Sequence, residues 1–310
     1  MIYFKIGKIP IRKKGILAPM LEFSTLPYRE LVRKHNCDLC YTEMVHTNYL
    51  ANLSSEKLEF EDLLQSTKDD SPTSLQLVGD FTDRKTTLKA ASLIDEHKYF
   101  DIIDLNLGCP SIRIIKGKSG SALLKDITKI TPTIKELCET ITKPITIKTR
   151  LGFSRNEIPF ISTELFKTGI NALAIHARCA IDSYNIPCNV QEVRNIKETS
   201  PIPIIYNGDI NENNYKNYLG FDGLMVARSA LGSPCIFDLI NCSKQEITKE
   251  DKLVAMHEFL TFCTKHPIPF NKLKVSIIPF TKGLIKGSII RDKISKAKTI
   301  DEIKEILPKE

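Results

Sequence analysis

The chain has 310 residues, 42% of them hydrophobic, enough to bury a barrel-sized core with a smaller domain beside it; no apolar run approaches a membrane span. Lys and Arg number 44 against 37 Asp and Glu, and the net charge of +7 leans toward an anionic partner, a nucleic acid or a phosphorylated cofactor. Nine cysteines at irregular spacing argue against a disulfide framework, and with no signal-peptide core at the start they point to a reducing compartment, the cytoplasm. Cys37 and Cys40 form a lone C-x-x-C with no second ligand pair to complete a tetrahedral site, so no metal is expected and both are read as structural.

Residues 1–14 alternate apolar Ile6, Ile9 and Ile11 with basic Lys5, Lys8 and Arg12, which predicts a two-stranded ribbon rather than a core element. From Gly15 onward short apolar runs alternate with helical spacing. Strands are predicted at 15–19, 39–42, 75–78, 102–105, 145–148, 172–176, 204–206 and 223–226, and helices at 26–35, 85–96, 126–140, 158–168, 191–199 and 213–219. Near-continuous apolar strands suit a parallel sheet covered on both faces. The alternation predicts an α/β fold, a (β/α)8 TIM barrel over 15–240. Beyond a polar joint at 241–251, Leu253, Met256, Leu260 and Cys263 share one helical face. Basic helical segments are predicted at 271–286 and 300–307, so 241–310 reads as a small helical domain rich in lysine.

The stretch 101–110 organises the rest. Ile102, Ile103 and Leu105 form a buried strand that Gly108 and Pro110 stop abruptly, leaving Asn106 and Cys109 on the exit loop. In parallel α/β architectures chemistry gathers at the carboxyl ends of strands. Those ends carry Met20, Glu43, Gln76, Asn106 with Cys109, Lys148 with Arg150, His176 with Arg178, the triplet Asn207, Gly208 and Asp209, and Ala227 with Arg228. Loops after the seventh and eighth strands of such barrels often cradle a phosphate, and here they supply Gly208, Arg228 and an expected helix start. With Lys148 pointing to the centre, where a cation stabilises charge on a reduced flavin, the cofactor inferred is FMN.

Ala18-Pro19-Met20, Thr42-Glu43-Met44-Val45, the run from Asp104 to Pro110, Gly120-Ser121-Ala122-Leu123-Leu124, Lys148-Thr149-Arg150-Leu151-Gly152, His176-Ala177-Arg178, Asn207-Gly208-Asp209-Ile210 and Met225-Val226-Ala227-Arg228 resemble, in order and spacing, the tRNA-dihydrouridine synthases. The resemblance implies an FMN-bound barrel that reduces a uridine in tRNA, with NADPH regenerating the reduced flavin. It also implies that Pro19, Met20 and Leu21 touch the isoalloxazine, that Gln76 and Lys148 bind its ring, and that His176 lies close. By the same resemblance Asn207, Gly208, Asp209, Ala227 and Arg228 hold the phosphate, Cys109 donates a proton, and Asn106 and Arg178 orient the uracil. The Thr25-Leu26-Pro27 wording and the Met225 to Arg228 ending look most like the eukaryotic branch acting at position 20 of the D-loop.

The chemistry suits these residue types. Reducing the uracil 5,6 double bond needs a hydride at C6 and a proton at C5, and a thiol, mostly protonated at neutral pH, can give that proton. A base inside folded tRNA must be swung out to be reached, so basic residues near the rim are expected to hold the backbone: Arg113, Lys116, Lys118, Arg155, Lys272, Lys274, Lys282 and Lys286. No obligate protein partner is expected. Two other readings differ in kind: an FMN barrel reductase of a small pyrimidine, like dihydroorotate dehydrogenase, and a tRNA-binding protein without chemistry. The first has no need of a basic helical domain, and the second has no reason to keep Asn106, Cys109, Lys148, His176 and Arg178 together.

Overall fold

The computed structural model describes residues 2–53 and 64–308. The ribbon pairs β1 (Phe4–Ile6) with β2 (Ile9–Ile11), antiparallel, with Phe4 opposite Ile11. Contrary to the expectation, it joins the core. Phe4, Ile6 and Ile11 pack with Ile16, Leu39, Ile102, Ala172, Ile205 and Met225 and seal the end of the barrel where its strands begin.

Eight parallel strands close the barrel: β3 (Gly15–Leu17), β4 (Leu39–His46), β5 (Thr73–Val78), β6 (Ile102–Asn106), β7 (Ile145–Arg150), β8 (Ala172–His176), β9 (Ile204–Asn207) and β10 (Gly223–Val226). Sequential neighbours pair throughout, and β10 returns to β3 with Met225 opposite Ile16. Strand alternation sends every second side chain inward. The outward set, with Leu75, Ile103, Ile147, Leu173 and Ile204 among it, is wholly buried under helices. Strand β4 runs four residues past its expected end, and its register against β5 shifts between Tyr41 and Met44, a bulge that re-aims the side chains beyond it.

The crossovers are less uniform than expected. Helices α1 (Leu26–Lys34), α2 (Thr47–Ala51), α3 (Arg84–Glu96), α4 (Ile112–Lys116), α5 (Thr131–Thr140), α6 (Ile158–Phe166) and α7 (Val190–Thr199) lie among them. The predicted 126–140 helix divides into a 3-10 turn, Ile127–Lys129, and α5, because Pro132 has no N–H to continue a helix and suits only its first turn. The predicted 213–219 helix is a 3-10 turn, Tyr215–Tyr218.

After α8 (Ile236–Ile240) come the C-terminal helices α9 (Lys249–Lys265), α10 (Phe270–Ile277), α11 (Gly287–Lys296) and α12 (Ile300–Ile306). Thr248 and Asp251 form a capping box that starts α9. The predicted 271–286 helix stops at Ile277, followed by a 3-10 turn with Pro279, and α11 is an element the sequence reading lacked. These helices share the barrel's core through α1: Tyr28 meets Phe259 edge-on at 5.7 Å and Phe280 at 6.3 Å, and its hydroxyl donates to the Ala230 carbonyl.

Helix α1 is also tied to the start of β5. The Asp70 carboxylate is fully buried and accepts from Arg29 Nε at 2.8 Å and Arg33 Nε at 3.0 Å, while Arg33 also donates to the Pro72 carbonyl. Burial alone would raise the Asp70 pKa, but the two guanidiniums outweigh it and hold the carboxyl below its ordinary value. Asp70→Ala strands both cations and is expected to cost about 3–5 kcal/mol, read from urea unfolding. The depressed folded pKa fixes the sign with pH. The wild-type contribution is complete above the unfolded-state value of about 3.9 and is lost as pH falls through the lower folded value, whereas the variant shows no such loss.

Candidate active site

Following the inward positions along each strand shows how the site arises. On β6 they read Ile102, Asp104, Asn106; on β7 Thr146, Lys148, Arg150; on β8 Ala172, Ala174, His176. The faces of β6 and β8 begin apolar at the sealed end and finish polar at the mouth, and that of β7 is polar throughout. There a cavity of about 290 Å3 is lined by Pro19, Met20, Leu21, Gln76, Asn106, Cys109, Lys148, His176, Asn207, Gly208, Asp209, Ala227 and Arg228. Every predicted site residue except Arg178 stands in this wall.

Cys109 is partly exposed on a loop held from several sides. Asn106 Oδ1 accepts the backbone N–H groups of Gly108 at 3.0 Å and Cys109 at 2.9 Å; Ser121 N–H donates to the Cys109 carbonyl at 3.1 Å; Arg150 Nε donates to the Gly108 carbonyl at 2.9 Å. Asn106 can serve this way only if its amide faces one way round, and a buried relay fixes that. The wholly buried Asp104 accepts from Gln76 Nε2 at 2.7 Å and from Thr146 Oγ1 at 2.7 Å, and Gln76 Oε1 then accepts from Asn106 Nδ2 at 2.8 Å. An ionised carboxylate only accepts, so Gln76 must turn its NH2 toward Asp104 and its oxygen toward Asn106. Burial raises Asp104 to about 6, against the opposing pull of Gln76, Thr146 and Lys148, so at neutral pH it remains the acceptor.

The adjoining wall, formed by β7 and β8, is cationic. Burial, then Arg150, brings Lys148 down to about 8, with Asp104 pulling the other way. His176 is held neutral, well below its ordinary range, by burial and then by Lys148, Arg150, Arg178 and Arg228. Its Nε2 lies 3.3 Å from Arg178 Nη1, and because a guanidinium can only donate, Nε2 accepts and the proton sits on Nδ1. Arg178 itself is behind the wall rather than facing the cavity. Its side chain is 1% exposed and bonds the carbonyls of Ile186 and Tyr184 and the Asp209 carboxylate.

The seventh and eighth strand ends form a concave backbone. Gly208 has φ +135°, and a Cβ there would lie 2.5 Å from Cys188 Sγ, so only glycine lets the chain pass. Asp209 follows at φ +51°. The backbone N–H groups of Gly208, Asp209, Arg228 and Ser229 find no acceptor among the described residues. Arg228 lies over the Tyr184 ring at 4.1 Å, with its guanidinium 3.6 Å from Asp209. The expected helix start at Arg228 is instead a run of turns; Gly232 at φ +73° and Pro234 keep the chain from winding until α8.

Several lining residues escaped the sequence reading. Met44 reaches the wall because the β4 bulge turns it inward; Tyr184 comes from an irregular loop with no periodic pattern. Asp104, beneath the wall, is legible as an inward strand position, and its parity with Asn106 is the signal that finds it; Arg150, named at the end of its strand, does line the cavity. Of the eight rim cations, Arg113, Lys116, Lys118, Lys282 and Lys286 are exposed, Arg155 pairs with Glu157 at 3.0 Å, and Lys274 donates to the Ser295 carbonyl. Lys272 departs from expectation: it is largely buried, bonded to Glu43 at 2.8 Å.

Comparison with known proteins places this geometry. The family model described as Dihydrouridine synthase (Dus) matches residues 16–276. A protein of Rickettsia prowazekii named "Probable tRNA-dihydrouridine synthase" is 30% identical over 270 residues, 84% of this chain and 80% of that one. The tRNA-dihydrouridine synthase B of Vibrio vulnificus is 31% identical over 247 residues, 76% of this chain and 74% of its own. Among solved structures, the old yellow enzyme homologue from Zymomonas mobilis superposes with a TM-score of 0.58 at 12% identity, covering 79% of this chain and 92% of that one, a likeness of barrel fold. With its matched motifs gathered at one barrel mouth, the chain belongs to the dihydrouridine synthase family.

Proposed function

We propose that this protein reduces a D-loop uridine of tRNA to dihydrouridine, using FMN bound in the barrel mouth and NADPH as the source of electrons. The observation that carries the reading is the pairing, in one cavity, of a thiol held on a fixed loop with a wall of cations and unpartnered backbone N–H groups. Family membership and the relatives' names support the substrate. The residues fit a flavin mononucleotide. Gly208, Asp209, Arg228 and Ser229 offer four N–H donors and a guanidinium to a phosphate, and Lys148 offers a cation beside a ring that gains negative charge.

When bound, reduced FMN supplies a hydride to C6 of the uracil, and NADPH restores it. The chain's own residues do the rest. Cys109 gives its thiol proton to C5, leaving a thiolate that solvent reprotonates, with Lys148 and Arg150 lining the same cavity. Asn106, oriented by Asp104 through Gln76, keeps the Cys109 backbone in place. Neutral His176 presents its Nδ1 proton as a donor without adding charge, and Arg178 acts through His176 and Asp209. Residues 241–310, with exposed Lys282 and Lys286 and the loop cations Arg113, Lys116 and Lys118, supply the RNA-binding surface in this reading.

The test is reduction of tRNA transcripts by purified protein with FMN and NADPH, dihydrouridine being mapped by sequencing and position 20 examined first. Reduction of a free pyrimidine but not of tRNA would overturn the proposal in favour of a small-molecule reductase, and a colourless protein that binds tRNA would leave only a binding role. Cys109→Ala is expected to retain flavin and tRNA affinity while single-turnover reduction falls by about 10^2 to 10^4, the usual contribution of a placed general acid. Arg228→Ala is expected to weaken FMN binding by about 10- to 100-fold, measured by flavin fluorescence, as loss of a charged hydrogen bond worth about 1.5–3 kcal/mol implies.

A further inference from the structure

The bulge in β4 turns Glu43 out of the barrel interior, toward the loop that follows β3 and toward α10. Its two oxygens take different partners. Oε1 accepts the backbone N–H of Glu22 at 2.6 Å, and Oε2 meets Lys272 Nζ at 2.8 Å. Lys272 and Ser276 stand four residues apart on α10, hence on one face, and Ser276 Oγ donates to the Glu22 carbonyl at 2.7 Å. Both polar ends of the Glu22 residue are therefore held, one through Glu43 and one directly, by a helix of the C-terminal part.

Glu22 needs holding. Its φ of +70° is left-handed, a conformation a non-glycine residue pays for with strain of about 1 kcal/mol or more and that persists when its surroundings over-determine it. It is the tip of a tight turn in which Phe23 and Ser24 N–H both donate to the Met20 carbonyl, so the Glu22 peptide plane sets where Met20 and Leu21 project, and both line the cavity. The ion pair that fixes it is largely desolvated, with Glu43 at 4% and Lys272 at 15% side-chain exposure; the Lys272 ammonium is committed to a buried carboxylate rather than offered to an RNA phosphate.

We propose that Lys272 and Ser276 are positioning residues for the flavin-facing turn 19–22, acting on it with Glu43, so that the C-terminal helices complete the cofactor site as well as facing the RNA. The inference rests on the flavin reading above.

The test uses the full-length holoprotein without RNA. Lys272→Met, Ser276→Ala and the double change Glu43→Gln with Lys272→Met are compared with Lys293→Met, which removes an exposed charge from α11. Flavin affinity, midpoint potential and visible spectrum are read, followed by KM for tRNA and kcat. Ser276→Ala, which removes one hydrogen bond and no charge, is expected to raise the FMN Kd about 3- to 10-fold. Lys272→Met is expected to do at least as much and to lower the potential, since it leaves an uncompensated carboxylate against the turn 19–22; the double change restores the potential, and Lys293→Met matches wild type in flavin affinity, spectrum and potential. Unaltered Kd, spectrum and potential in both single variants, with only KM for tRNA raised, would overturn the inference and return Lys272 to the RNA-contacting set. A wild-type protein that takes up no FMN would overturn the flavin reading and this inference with it.

Discussion

Closing eight parallel strands into a barrel imposes one rule on every strand, that alternate side chains point into a shared interior of fixed width. The interior of this chain is graded along its axis. Ile16, Leu39, Ile102, Ala172 and Ile205 fill the sealed end, Asp104 and Thr146 make a polar layer, and Gln76, Asn106, Lys148 and His176 open to the mouth. On β6 and β8 the inward face switches from apolar to polar, on β7 it is polar throughout, and closure of the barrel brings those polar ends together.

The polar layer gives the gradient a direction as well as a composition. An acceptor-only carboxylate at its inner end fixes the orientation of Gln76, then of Asn106, and so the backbone of the loop bearing Cys109. An amide at position 104 could be met either way round, and the orientation of the whole line would become ambiguous. Burying one carboxyl group is costly, and Gln76, Thr146 and the nearby Lys148 offset that cost.

How much could be read from residues alone follows from where the constraint lies. All eight barrel strands were visible because covered parallel strands must be apolar over several residues, and most of the cavity-lining residues were visible because they close those strands. Elements that depend on neighbours were not. The β4 bulge depends on its pairing with β5, and α11 lies past Pro279 and Gly283, which end one helix without announcing the next. Arg178 and Lys272 read as cations available to substrate, and only the fold shows that Asp209 and Glu43 occupy them. Charge is legible in a sequence; the partner that neutralises it is a tertiary fact.

The joining of β10 to β3 has a consequence for the ribosome's product. Ile16 and Met225 lie about 200 residues apart, so at ordinary elongation rates the first barrel strand waits on the order of ten to forty seconds for its second neighbour to be made. Through that interval one edge of β3 lacks its partner, and Ile16, Leu39 and Tyr41 share an interior that is not yet shut. The ribbon β1–β2, made before any barrel strand, carries Phe4, Ile6 and Ile11 to that same end, so the nascent chain already holds its own cover for the apolar floor while the wall is being completed.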